Sequence, residues 1–276
     1  MKKTFVLAVL FATSLVILII GNSAAVHAQA VAGDSLDSVN TKGSIDRGDF
    51  KIGFSPVTLK RDPSKRMDAE LTSTLKEMIK PLNQIVAMPY DVYLNFDTCG
   101  EPNAFYNPNA KEITMCYEFL TQFDQVFSQI SSNPEEVRSM SAGAMMVFFF
   151  HELGHCLIDA WDLPTTGREE DAVDQLATVL LLGSDEGDKS VMSAVLFFNV
   201  ISQGNRRSDL AFWDEHSLDQ QRFYDMLCLT FGSNPTKHQS LLSDDGLPRS
   251  RAVRCPAEYK RVDRAWNRLL LPYLKQ

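Results

Sequence analysis

Apolar residues recur along this chain with two periods, and the change from one to the other divides it. Asp91-Val92-Tyr93-Leu94-Asn95-Phe96 alternates with the two-residue repeat of a half-buried strand. Asn103-Ala104-Phe105-Tyr106 follows. After a turn through Asn107-Pro108-Asn109-Ala110, Glu112-Ile113-Thr114-Met115-Cys116-Tyr117 returns as the next strand. Phe50 to Leu59 predicts a further short strand. Asp62-Pro63 offers an N-cap and a first-turn proline, and Met67, Leu71, Leu75 and Met78 continue at helical spacing, which predicts a helix over 63–79. From Glu118 onward the period is helical. Asn133-Pro134-Glu135-Glu136 is a strong helix start: a cap, a proline at the first position, and acids at the positive end of the dipole. That helix should run to about Ala160 and stop at Leu163-Pro164. Others are expected near 167–182, 188–202, 217–230 and 256–270. The class is α+β, with strands and a helix in the first half and helices in the second.

The ends read differently. Residues 1–30 have the form of a secretory signal: Lys2 and Lys3, an apolar run from Phe5 to Ile20, and Ala28-Gln29-Ala30 as a small-x-small cleavage site. An uncleaved membrane anchor is the alternative, because the apolar run is slightly long. Residues 31–49 are polar and aperiodic, a flexible linker. One domain is expected over 50–276, its sheet-bearing part at 50–132 and its helical part at 133–276. Hydrophobic content of 45% with 22% charged residues is that of a globular chain. The formal charge of −8 argues against nucleic acid as a partner.

Export to a periplasm or beyond would make the five cysteines matter. Cys99 and Cys116 bracket a hairpin, Cys228 and Cys255 bracket the C-terminal helices, and Cys156 is the odd one out. The two bracketing pairs are the expected disulfides. Cys156 reads as a small buried apolar residue.

The chemistry concentrates in His151-Glu152-Leu153-Gly154-His155. On a helix, His151 and His155 project from one face a turn apart and can hold two corners of a zinc site. Glu152 stands beside them, placed to take a proton from a zinc-bound water. A metzincin would carry glycine at 158 and histidine at 161; this chain has Ile158 and Trp161. The other histidines are His27 in the leader and the distant His216 and His238. The better third ligand lies one helix on, in Thr166-Gly167-Arg168-Glu169-Glu170-Asp171-Ala172-Val173-Asp174. Thr166 and Glu169 form a capping box, which leaves Glu170 free to bind metal, with Glu169 as fallback. Asp174, four residues after Glu170 on the same face, could accept the outward N–H of a zinc-bound histidine.

These residues resemble the gluzincins, the thermolysin-like zinc peptidases, whose signature is H-E-x-x-H followed by E-x-x-x-D. The match covers His151, Glu152, His155, Glu170 and Asp174. Asn103-Ala104-Phe105-Tyr106-Asn107 is similar to the edge strand on which those enzymes lay an extended substrate. By that resemblance Asn103 would bond the substrate backbone and the Ala104 main chain would pair with it. From about residue 50 to its end the chain also resembles a bacterial metallopeptidase family. It carries C-Y-E-F-L at 116–120, H-E-L-G-H-C-L-I-D at 151–159, G-R-E-E-D-A-V-D-Q-L-A-T at 167–178, D-E-H-S-L-D-Q-Q-R-F-Y at 214–224 and R-A-V-R-C-P-A-E-Y at 251–259. That family's name itself rests on the zinc motif. The resemblance implies a small mixed sheet over the zinc-motif helix, with a mainly helical C-terminal half. The chain is much shorter than thermolysin after the zinc helices.

The expected activity is zinc-dependent hydrolysis of a peptide or protein, with Glu152 as base and one Zn2+ per chain. His216, beside Asp214 and Glu215, is the expected donor to the oxyanion, with Tyr224 a second candidate, and Arg222 could hold a substrate carbonyl. A cell-wall peptide amidase and a zinc-bearing binding protein without turnover are the alternatives. A membrane is a partner only if the leader is retained.

Overall fold

The computed structural model describes residues 46–67, 69–204 and 212–275. The expected leader and most of the linker lie outside the described residues. Four strands form one sheet: β1 (Phe50–Ile52), β2 (Val92–Asp97), β3 (Ala104–Asn107) and β4 (Glu112–Cys116), in the order β1-β2-β4-β3. β1 and β4 both run parallel to β2, while β3 pairs antiparallel with β4 and forms an edge. The register places Leu94 opposite Ile113 and Phe96 opposite Met115, all buried.

The helices are α1 (Pro56–Arg61), α2 (Ala69–Ile85), α3 (Tyr117–Phe127), α4 (Pro134–Trp161), α5 (Glu169–Leu181), α6 (Asp185–Gly204), α7 (Asp219–Ser233), the single turn α8 (Arg249–Ala252) and α9 (Cys255–Leu270). Two expectations need correction. The strand over 50–59 stops at Ile52, because Ser55 caps a short helix: its Oγ accepts the Thr58 N–H, and Pro56 sits in the first turn. Asp62-Pro63 does not start the next helix. Asp62 instead ends α1 and accepts the Ser64 N–H at 3.0 Å, and α2 begins at Ala69 and runs through Pro81 to Ile85. Leu75, Met78, Ile79 and Leu82 hold it against the core.

α4 is the axis of the molecule. Asn133 caps it by accepting the Glu135 N–H at 3.0 Å, and Asp162 ends it in the left-handed conformation with φ 48°. It packs against β3, β4, α3, α5 and α6, and so is buried on nearly every side. Among the described residues it is also the one helix long and apolar enough to cross a membrane, but its apolar surface is spent on the core. Phe119 and Phe123 from α3, Phe148 from α4 and Phe197 from α6 pack together, with Phe119–Phe148, Phe123–Phe197 and Phe148–Phe197 edge-to-face at centroid separations of 4.7–5.9 Å. Cys99 pairs with Cys116 and Cys228 with Cys255, while Cys156 is buried and free.

Candidate metal centre

α4 and α5 must approach closely for their side chains to share a metal, and Gly154 permits it. A Cβ at Gly154 would lie 2.7 Å from Val173 Cγ1 and 2.8 Å from Val173 Cβ on α5, far inside contact distance. Gly154→Ala gains about 1 kcal/mol of helix propensity but forces apart two packed helices, at about 1–3 kcal/mol. The expected result is a lower urea midpoint together with weaker metal binding, because the displacement acts on the helix that carries Glu170.

With the helices in place, three donors converge. His151 Nε2 lies 3.1 Å from Glu170 Oε2, His155 Nε2 lies 3.3 Å from Glu170 Oε1, and the two Nε2 atoms are 3.3 Å apart. Tetrahedral zinc with bonds of 2.0–2.1 Å sets its ligands about 3.3–3.4 Å apart, so the spacing fits. The hydrogen-bond pattern fits too. His151 Nδ1 faces Asp174 Oδ1 at 2.7 Å and His155 Nδ1 faces Glu169 Oε1 at 2.7 Å. Each Nδ1 therefore holds its proton against a carboxylate, so that a ring made neutral by metal binding turns its Nε2 lone pair inward. Glu170 Oε2 is buried and makes no aligned hydrogen bond despite the two imidazoles beside it. Lone pairs aimed at one point, not at each other, are what a cation requires.

Electrostatics follow from this crowding. Burial alone would raise the Glu170 pKa, but His151, His155 and His216 hold it well below the usual carboxylate range. Burial opposes protonation of His155, yet Glu170 and Glu169 outweigh it and lift that ring to about 9 in the metal-free chain. Burial raises Glu152, partly countered by His151 and His155, and the Tyr106 main-chain N–H also lowers it. Because a metal held by His155 would need the neutral ring, protons would compete with it below about pH 9. Metal affinity is thus expected to fall as pH drops from 9 to 6, with proton release on binding at pH 7. Calorimetry in buffers of different ionisation enthalpy measures this.

The remaining sequence candidates fall in several places. Glu169 does not form a capping box: the N-cap is Arg168, without a side-chain bond, and the Glu169 carboxylate is turned to His155 instead. Asp174 faces His151, where it was expected. Arg222 was expected on the substrate side but stands behind Asp174. Its Nε and Nη2 each donate to that carboxylate at 2.7 Å, and its guanidinium lies 4.2 Å from the Phe198 ring centroid. Burial would raise Asp174, but Arg222 and then His151 hold it well below its ordinary value. Tyr224 packs edge-on against Phe223, at 4.9 Å. His216 Nε2 lies 3.0 Å from Glu170 Oε2 and its Nδ1 lies 2.9 Å from Asp214 Oδ1.

Asn103 turns its side chain onto its own strand, where Oδ1 accepts the Ala104 N–H at 2.9 Å. The Asn103 carbonyl accepts the Cys116 N–H at 3.0 Å, so Asn103, Phe105 and Asn107 bond inward to β4. The main chains of Ala104 and Tyr106 therefore turn away from β4, the Ala104 N–H to Asn103 Oδ1 and the Tyr106 N–H to Glu152. Tyr106 also bridges to α4: its hydroxyl donates to Asp159 Oδ2 at 2.7 Å, where Tyr90 and Lys111 also donate, at 3.0 and 2.7 Å. Sequence reasoning missed this clamp. The available signal was Asp159 itself, an acid four residues beyond His155 on the same helix face.

Comparison with curated proteins and with solved structures finds no match for the chain. Residues 58–270, well over half of the sequence, match the sequence model of a family described as "Putative metallopeptidase". Histidines 151 and 155, their carboxylate partners and the β3 edge all lie within that span, and the chain belongs to this family.

Proposed function

We propose that this chain is a zinc-dependent peptidase of gluzincin type, with His151, His155 and Glu170 as the metal ligands and Glu152 as the general base. The observation that carries the reading is the convergence of His151 Nε2 and His155 Nε2, 3.3 Å apart, on the Glu170 carboxylate, whose two oxygens lie 3.1 and 3.3 Å from them. Two histidines with one carboxylate is a donor set that zinc hydrolases use.

When bound, zinc would polarise the scissile carbonyl and bring the pKa of a water to about 7. The chain's own groups would do the rest. The β3 edge would take an extended peptide as an added strand, with the outward carbonyls of Ala104 and Tyr106 setting its register. Glu152 would accept the proton of the attacking water on its carboxylate and hand it to the leaving amine. Its burial supports that role, since a raised pKa moves a carboxylate toward neutral pH, where it both takes and returns a proton efficiently. Asp174 and Glu169 would hold the two imidazoles in the ligating tautomer, with Arg222 anchoring Asp174. Two disulfides suit an oxidising compartment and support residues 1–30 as an export signal.

The test is metal analysis with peptide-library cleavage on the purified chain. One zinc per chain, cleavage abolished by a chelator and restored by zinc, is the expected result. One zinc bound with no peptide cleaved would instead favour a binding protein.

A further inference from the structure

Three imidazoles reach the centre, and each sets its Nδ1 against a carboxylate. The pairs are His151 with Asp174, His155 with Glu169, and His216 with Asp214, at 2.7, 2.7 and 2.9 Å. In the first two the arrangement aims Nε2 at a point shared with Glu170. His216 repeats it. Its Nε2 lies 3.0 Å from Glu170 Oε2, matching the 3.1 and 3.3 Å of the other two rings. Its plane lies 17° from that of His151, with centroids 6.4 Å apart, and one donor atom from each of His151, Glu170 and His216 falls within 4.8 Å of the others.

We propose that His216 is a fourth, detachable metal ligand, which closes the centre in the resting chain and is displaced when substrate enters. The inference rests on the zinc-peptidase reading and concerns regulation of that same site. The difference in anchorage explains why this ligand would be the one to leave. His151 is buried on α4, and His155 stands one turn along the same helix. The His216 side chain is 42% exposed in the segment before α7, held by Asp214 and by Arg168 Nη1 on its carbonyl at 3.3 Å. A zinc site filled by four protein ligands is structural and inert, whereas one with an open position is catalytic. Exchange of one surface imidazole would switch between them.

The experiment is zinc-edge X-ray absorption on the zinc-loaded full chain, counting imidazoles, beside zinc affinity measured by competition with a chromophoric chelator. Three imidazoles are expected in the wild type and two in His216→Ala, with affinity at least about tenfold weaker. His216→Gln, of similar size, checks that the loss follows the ligand and not the loop. A peptide that binds zinc-loaded Glu152→Gln should lower its count from three to two. Two imidazoles and unchanged affinity in both wild type and His216→Ala would overturn the proposal while leaving the peptidase reading intact. A wild-type chain that takes up no zinc would overturn that reading and, with it, this inference.

Discussion

Glu152→Gln is expected to reduce peptide hydrolysis by roughly 10²–10⁴-fold in kcat, the span of general acid–base catalysis, while zinc content stays at one per chain. The amide matches the carboxylate in size, and Glu152 is no part of the proposed ligand set, so the centre should assemble unchanged. Only the proton acceptor is lost. The removal even relieves the burial of a charged group, because Glu152 is 5% exposed and its pKa is raised. Equal or higher stability with lost turnover would be the signature of a catalytic residue. The measurement is kcat on any peptide found in the library screen, with metal analysis on the same sample. Turnover close to wild type would remove Glu152 as the base.

Asp174→Ala is expected to have the largest effect on the fold, about 3–5 kcal/mol in urea unfolding. It would leave Arg222, whose side chain is 10% exposed, without its bidentate carboxylate partner beside the Phe198 and Phe148 rings. It would also free His151 to rotate, and zinc affinity should fall about 10–100-fold. The two effects separate in Asp174→Ala/Arg222→Leu. That pair should recover most of the stability and none of the affinity, because the buried charge is gone while His151 still lacks its partner. The Asp174 carboxyl is held below its ordinary value, so its contribution is fully present above the unfolded pKa, about 3.9. It is lost as pH falls through the folded value.

Much of the centre was legible because its parts sit at helical spacing. His151 and His155 on one helix, and Glu170 and Asp174 on the next, follow from a four-residue offset that any helix imposes. What could not be read was which acid meets which ring. Glu169 looked spoken for by Thr166, since a T-x-x-E pattern is locally sufficient for a cap. The contact that won, His155 Nδ1, comes from another helix. Arg222 was misassigned for the same reason: a lone arginine on a predicted helix carries no sign of the buried carboxylate it will face. In the sheet, period-two alternation located β2 and β4. The register that turns Ala104 and Tyr106 away from β4 depends on pairing across β3 and β4, which a single strand cannot reveal. The S-P-x-T start of α1 was present in the sequence and was hidden by the apolar run around it.

The last residues of the chain return to its N-terminal part. The Tyr273 carbonyl accepts the Ala87 N–H, the Lys275 N–H reaches the Ile85 carbonyl, and Lys275 Nζ meets Asp46 Oδ2 at 2.7 Å. The folded body thus nearly closes into a loop, its first and last described residues side by side. A short bridge from 275 to 46 should therefore yield a functional circular permutant with new ends at a distant surface turn. Any tether upstream of residue 46 would emerge beside the C-terminal tail, and a purification tag there would crowd it.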